Sequence, residues 1–357
     1  MGLTLLQVMP QAWGGGMERE VVAIADEAVG RGWRSVIAHW GDADPVASEC
    51  EYVRLPSGGI SRHWPAALGR LVRRLRPDVV HLHDPQAGSL GAIAVRLQGN
   101  RRIVYSDHAI PKFRAFKHRA ARLVTARIPL VNVAVSEAVA HSMVRDSRIP
   151  RARVRVIRVA VEAAPALDPP RGDDRRFVCV ANLWPWKGHL VLLQALAILD
   201  RAPTVTLTLI GEGVERSRIE DEVARLGLSG RVTLTGFVGD PWALAHGAWG
   251  YVHASYHEGL PLAVMEAMVR GLPVIATAAG GTQELVKHER TGLLVPPNDA
   301  VALATAIQRL ALDPQLRERL SRAGREDQLA DRRPDDFLND IFEVYERVAL
   351  HGDRRPG

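Results

Sequence analysis

A chain of 357 residues is about twice the usual domain length, so two domains are expected, each able to bury its own core. Its 47% hydrophobic and 24% charged content excludes wholesale disorder; two cysteines, Cys50 and Cys179, exclude a disulfide framework and lack zinc-type spacing. The net charge of +6 is uneven: residues 1–165 hold 24 Lys and Arg against 14 Asp and Glu, the remainder 22 against 26, so the positive field belongs to the first half and suits anionic partners. Aromatic content of 5% without basic-aromatic alternation argues against nucleic acid.

The chain opens with MGLTLLQVMP, which lacks a basic n-region and runs into a glycine turn, so it reads as a first strand instead of a signal peptide. No apolar run is long enough to span a bilayer. A cytoplasmic protein is expected. Branched runs follow in order, SVIAHW, DVVHLH, RIVYSDH and NVAVS, then RFVCVAN, TVTLTLIG, RVTLTG, WGYVHAS, LPVIATA and TGLLVP. Between them lie stretches such as EREVVAIADEAVGRG and LVLLQALAILDR, whose apolar residues recur at three and four and predict helices. This alternation predicts parallel sheets covered on both faces.

It occurs twice, interrupted at residues 163–176 by AAPALDPPRGDDRR, where prolines and charge break the pattern. The expected fold class is therefore α/β, with two Rossmann-like doubly wound domains, 1–165 and 166–334. An amphipathic helix at about 335–350 is expected to pack back onto the first. Ligands of such sheets bind beyond the carboxyl ends of the strands, so two domains facing across a cleft would share a site there.

The stretch EGLPLAVMEAMVRG, residues 258–271, is apolar between its two glutamates. Pro261 suits a helix start and Gly271 a helix stop, which leaves Glu258 in a strand-to-helix loop and Glu266 inside a helix that must be interior. An ionised carboxylate buried there needs donors: either a nearby Arg or Lys, or the two hydroxyls of a bound ribose, each worth roughly 1.5–3 kcal/mol.

The surrounding residues SYHEGLPLAVMEAMVRGLPVIATAAGGTQELVKHERTGLLVPPND closely resemble the donor-binding segment of glycosyltransferase family 4, retaining enzymes of the glycosyltransferase B fold. VANLWPWKGHLVLLQAL, LIGEGVERSRIEDEVARLGL and RVTLTGFV are similar to that family in the same order, and GGGMERE, DVVHLH and VYSDHA more loosely so. The resemblance implies that Glu266 holds the nucleotide ribose and that Glu258 lies by the sugar hydroxyls near the reacting carbon. Gly259, Leu260 and Leu262 would offer amides to sugar and phosphate beside a helix N-terminus. It further implies that Lys187 contacts the diphosphate, that Gly15 and Gly16, after Gly14, close over the donor, and that His108 meets a sugar hydroxyl. Phe237 and Val238 would underlie the base. The chain departs from the family at Asn182, where an arginine is usual, and in the VIRVAVE run, where a Pro-Asn-Gly turn is usual.

The implied reaction transfers a sugar, most readily from UDP-sugar, to an acceptor hydroxyl with retention at the anomeric carbon. It needs no cofactor and no metal. The implied acceptor is a lipid-linked, glycan or small-molecule hydroxyl. Residues 112–127, KFRAFKHRAARLVTAR, form a basic amphipathic pattern that reads equally as peripheral contact with anionic membrane or as a core-facing stripe with a solvated basic face. Two rival readings follow from other residues. His81, His83, Asp84, Asp107 and His108 are of metal-ligating type and would suit a metal-dependent hydrolase; Asn182 would suit a nucleotide-sugar-binding protein without catalysis.

Overall fold

Branched residues form strands wherever they alternate with helical patterns, and each strand pairs in parallel with its neighbours. The computed structural model describes residues 2–10, 15–41, 47–56, 63–108, 127–170, 175–199 and 204–351. The chain divides into one unit comprising Met1–Val159 and Pro334–Gly357 and another comprising Ala160–Arg333.

The first unit runs β1 (Thr4–Met9), α1 (Gly16–Gly30), β2 (Arg34–His39), β3 (Glu51–Arg54), α2 (Trp64–Leu75), β4 (Val79–His83), α3 (Ala92–Leu97), β5 (Ile103–Asp107), β6 (Val131–Ala134), α4 (Glu137–Asp146) and β7 (Val154–Val156). Its seven strands lie in the order β3-β2-β1-β4-β5-β6-β7, all parallel. The second unit runs β8 (Arg175–Val180), α5 (His189–Ile198), β9 (Val205–Ile210), α6 (Arg216–Arg225), β10 (Val232–Leu234), β11 (Gly250–His253), α7 (Leu262–Val269), β12 (Val274–Thr277), α8 (Thr282–Leu285), β13 (Leu293–Val295), α9 (Ala300–Leu312) and α10 (Pro314–Ala330). Its order is β10-β9-β8-β11-β12-β13, again all parallel. Strand order reverses between β1 and β4 in one unit and between β8 and β11 in the other. Those switch points are where an open parallel sheet leaves a crevice for ligand.

The last helix, α11 (Pro334–His351), belongs to the first unit and packs on β4 and β5. Phe342 is fully buried, edge-on to Trp33 at 5.1 Å, with the Arg31 guanidinium 4.2 Å above its ring. In the second unit, Val264–Val269 of α7 are all buried, as a helix apolar on every side must be. Gly271, at φ +75, ends it: its amide reaches the Met268 carbonyl at 2.9 Å and that of Leu272 the Ala267 carbonyl at 3.0 Å, a left-handed stop that satisfies the last carbonyls.

Two strands escaped the sequence pattern, β3 and β7. Each is an edge strand of three or four residues with mostly exposed or half-exposed side chains, so neither shows the apolar run of a central strand. The boundary between units falls between Val159 and Ala160, a few residues before the proline-rich break.

Replacing Phe342 by Ala should cost about 3–5 kcal/mol of stability. Urea unfolding followed by far-UV circular dichroism measures this.

Candidate functional site

In the second unit the loop after β8 folds into the turn Pro185–Lys187 and ends at Gly188, φ +71. A Cβ there would stand 2.0 Å from the Ala254 carbonyl oxygen, so only glycine lets this loop lie against the end of β11. The Tyr256 amide donates to the Trp186 carbonyl at 2.8 Å and fastens the two loops together. Lys187 is thereby delivered to Glu258, with Nζ 2.6 Å from Oε1. His253 Nε2 lies 2.9 Å from the same oxygen, and Tyr251 backs the imidazole, its hydroxyl 3.3 Å from Nδ1 and 3.1 Å from the Val180 carbonyl.

Glu258 and His253 are 8% and 2% exposed. Burial alone would push the Glu258 carboxyl up, but the Lys187 charge and the His253 hydrogen bond outweigh it and hold the group well below the usual carboxylate range. Removing one partner of such a buried pair costs about 3–5 kcal/mol, because the other charge is left uncompensated. Neighbouring groups respond to the same field. His189 is driven down to about 4 by burial, then by Lys187 and His253, and the Cys179 thiol is pushed up to about 12 by burial.

Glu266, in α7, is buried at 9% exposure, which meets the requirement read from its apolar surroundings. With burial, Cys179 and Glu258, it raises the Tyr251 phenol well above its ordinary value, so both glutamates act on the strand end that carries His253. Gly259 and Leu260 are buried and Leu262 half-buried; Leu262 opens α7, where first-turn amides have no intrahelical partner. Asn182 is exposed, two residues past β8. Phe237 is 72% exposed and Val238 half-buried, both just after β10. Trp184 and Trp186 stack at 5.2 Å beside Lys187.

In the first unit Gly15 caps α1 in an extended conformation and Gly16 begins it; Gly14 lies outside the described residues, as do residues 112–126 of the basic amphipathic stretch. Near the carboxyl ends of β1, β4 and β5, a chain of side chains joins Gln7, His83, His108 and Glu20. Gln7 Oε1 is 3.1 Å from His83 Nε2, His83 Nδ1 is 3.0 Å from His108 Nε2, and His108 Nδ1 is 3.3 Å from Glu20 Oε2. His81 is held by Tyr345 at 2.5 Å and by Ser106 at 2.7 Å. Asp84 sits at φ +83 and its carboxyl is raised to about 6 by burial, Asp107 adding to the effect.

This wiring does not favour the hydrolase. Both ring nitrogens of His81, His83 and His108 are engaged by protein side chains, and among the described residues no group of three His, Cys, Asp or Glu is arranged to hold a metal.

Two family models cover the chain: the Glycosyltransferase Family 4 model matches residues 14–164 and the Glycosyl transferases group 1 model residues 165–327. The chain belongs to this glycosyltransferase family. A lipopolysaccharide core biosynthesis glycosyltransferase of Rhizobium meliloti, LpsE, is 28% identical over 87% of this chain and 86% of that protein. An Escherichia coli protein named UDP-Gal:alpha-D-GlcNAc-diphosphoundecaprenol alpha-1,3-galactosyltransferase is 26% identical over 69% and 70%. Among solved structures, Anabaena Alr3699/HepE in complex with UDP and glucose superposes with a TM-score of 0.83 at 21% identity, covering 96% of this chain and 99% of that one. At that identity the likeness speaks for the fold, which is the glycosyltransferase B fold. The family match does not favour the rival reading of a binding protein without catalysis. No helix among the described residues is long and apolar enough to cross a membrane.

Sequence reasoning missed His253 and Glu20. His253 stands two residues after Tyr251 on one face of β11, and only its partner Glu258 gives it meaning. Glu20 was more legible, because it falls four residues before Ile24 and eight before Ala28, on the buried stripe of α1, the same anomaly that marked Glu266.

The Glu258 carboxyl titrates lower in the folded chain than in the unfolded one, so its contribution to stability is present above about pH 4.5 and fades as pH falls toward its folded value. The stability difference between wild type and Glu258→Gln should therefore narrow below about pH 4.5, as urea unfolding at pH 6, 4 and 3 would register.

Proposed function

We propose that the protein moves a sugar from a nucleoside diphosphate sugar to an acceptor hydroxyl with retention of anomeric configuration. The observation that carries this is the buried Lys187–Glu258–His253 cluster at the β8/β11 switch point, where a cation able to meet a diphosphate stands against a carboxylate able to accept from sugar hydroxyls. UDP is the proposed nucleotide, supported by the named donor of the Escherichia coli relative and by the UDP in the Anabaena structure. A hexose is the proposed sugar. The proposed acceptor is a lipid-linked or glycan hydroxyl, by analogy with the lipopolysaccharide core named for one relative and the diphosphoundecaprenol-linked acceptor named for the other. Two free cysteines support a cytoplasmic setting; the basic stretch 112–127 is the segment proposed to touch anionic membrane.

In the proposed mechanism Glu266 accepts from the ribose hydroxyls and the base lies over Phe237 and Val238. The amides of Gly259, Leu260 and Leu262, with the N-terminus of α7, meet phosphate and sugar. Gly15 and Gly16 allow close backbone approach to the donor. Lys187 exchanges Glu258 for the diphosphate, and the sugar hydroxyls take its place on the carboxylate. His253 keeps Glu258 charged while that exchange occurs. As the anomeric bond breaks, negative charge gathers on the diphosphate, and Lys187 with the loop amides stabilises it from fixed positions. Asn182 contributes a hydrogen-bond donor without charge, so Lys187 carries the larger share. The acceptor hydroxyl attacks from the face the diphosphate leaves, giving its proton to a phosphate oxygen, and no metal enters any step.

Incubation with a panel of nucleotide sugars, with free nucleotide and product anomer read by NMR, tests the reaction. The expected product has the donor's anomeric configuration; an inverted product would overturn retention. Lys187→Ala should lower kcat by about 10²–10³, by analogy with losing one donor to developing charge, and wild-type turnover in that variant would refute its role.

A further inference from the structure

The chain of side chains around His108 has a direction, and the direction can be read from its ends. The Val21 carbonyl can only accept, so the Gln7 amide nitrogen, 2.9 Å away, must donate to it. That turns Gln7 Oε1 toward His83 Nε2 at 3.1 Å, and an amide oxygen can only accept, so His83 carries its proton on Nε2. His83 is fully buried and its second protonation is strongly disfavoured by burial, then by His81 and His108, so Nδ1 is a bare lone pair. It accepts, and the donor 3.0 Å away is His108 Nε2. At the far end His108 Nδ1 meets Glu20 Oε2 at 3.3 Å, and an ionised carboxylate also only accepts. Both nitrogens of His108 therefore bear hydrogen.

We propose that Gln7, His83 and Glu20 are positioning residues that hold His108 as an imidazolium, a standing positive charge for the anionic donor of the transfer reaction proposed above. The reverse polarity would set the Gln7 amide oxygen against the Val21 carbonyl, two acceptors at hydrogen-bond distance. One other arrangement is compatible with the chain, with the proton on Glu20 and a neutral His108. The ordinary basicity of imidazole exceeds that of a glutamate by about 2 units, and the remaining groups facing His108 favour the charged ring. Glu18 and Glu20 reach it from α1 and Asp107 from β5, all three raising its affinity for the proton against the opposing effect of burial. His81 and His83, from β4, are both kept neutral by burial, and Asp84, after β4, also interacts electrostatically with His108, its carboxyl raised by burial. Tyr345, from α11, bonds His81 and stays neutral.

The consequence concerns what His108 can do. With one N–H committed to Glu20 and the other to His83, the ring acts on the donor through its charge, and it has no lone pair with which to deprotonate the acceptor. This rests on the reading that places His108 at the donor sugar. The charge itself does not.

The test uses full-length protein labelled with 15N in histidine, with His108 assigned by the signals lost in His108→Asn. Long-range 1H–15N spectra should show both His108 nitrogens protonated at neutral pH, and in Glu20→Gln the neutral pattern should appear about 1–3 pH units lower. One protonated and one bare nitrogen in the wild type at neutral pH would overturn the proposal without recourse to any variant. So would a Glu20→Gln protein whose His108 titrates as in the wild type. The alkaline limb of kcat should move down by the same interval in Glu20→Gln. If the spectra shift and that limb does not, the charge stands and the placing of His108 at the donor falls.

Discussion

A carboxylate keeps its charge in a protein interior only if counter-charge and hydrogen bonds are already in place, and the second unit is arranged around that condition at Glu258. Lys187 and His253 meet a single oxygen of it, yet they come from different loops, so the loops must be fixed to each other. Gly188 permits the approach to Ala254, the Tyr256 amide ties the turn down, and Thr277 Oγ1 donates to the Ser255 carbonyl at 2.5 Å from the next strand. The position of the cluster follows from strand order, since β8 and β11 are neighbours only because the sheet reverses there.

The first unit meets a similar condition by other means. Glu20 is 7% exposed; its counter-charge is an imidazole 3.3 Å away, at the end of a chain that begins at a backbone carbonyl. A histidine can be a cation or a neutral group, so here the neighbours decide which. In Glu258 the decision is made by Lys187 together with His253. The surplus of Lys and Arg in residues 1–165 lies along the sequence outside this chain, so the site's charge is local while the surplus shapes encounter.

The sheets were legible because central strands of a parallel sheet are buried on both faces and read as continuous branched runs; β1, β4 and β8 are of this kind. The edge strands β3 and β7 were not, because half-exposed residues carry no such pattern. Glu266 announced itself by standing inside an apolar helix, and the structure buries it. Lys187 had no local signal of its own and depended on likeness to a family. His253 could not have been found from its neighbours in sequence, since its role arises from a contact that forms only when β11 and the following loop fold over one another. Sequence marks a residue that violates its own surroundings, while a residue made functional by a partner waits for the fold.

The departure at Asn182 gains meaning from the same geometry. An arginine there would bring a second fixed cation to the loop after β8, and with two cations one could stay on Glu258 while the other met the diphosphate. With Asn182 the loop has Lys187, whose ammonium is already bound to Glu258 at 2.6 Å. In the proposed mechanism, an anionic donor at this loop would draw Lys187 away from a buried carboxylate, and Glu258 would then rely on His253 and on whatever hydroxyls the sugar presents. A donor that brings the diphosphate without a correctly placed sugar leaves that carboxylate short of partners, and an unpaired buried charge is penalised by several kcal/mol. Under the proposed mechanism the substitution would couple phosphate binding to sugar recognition, with one lysine serving two anions.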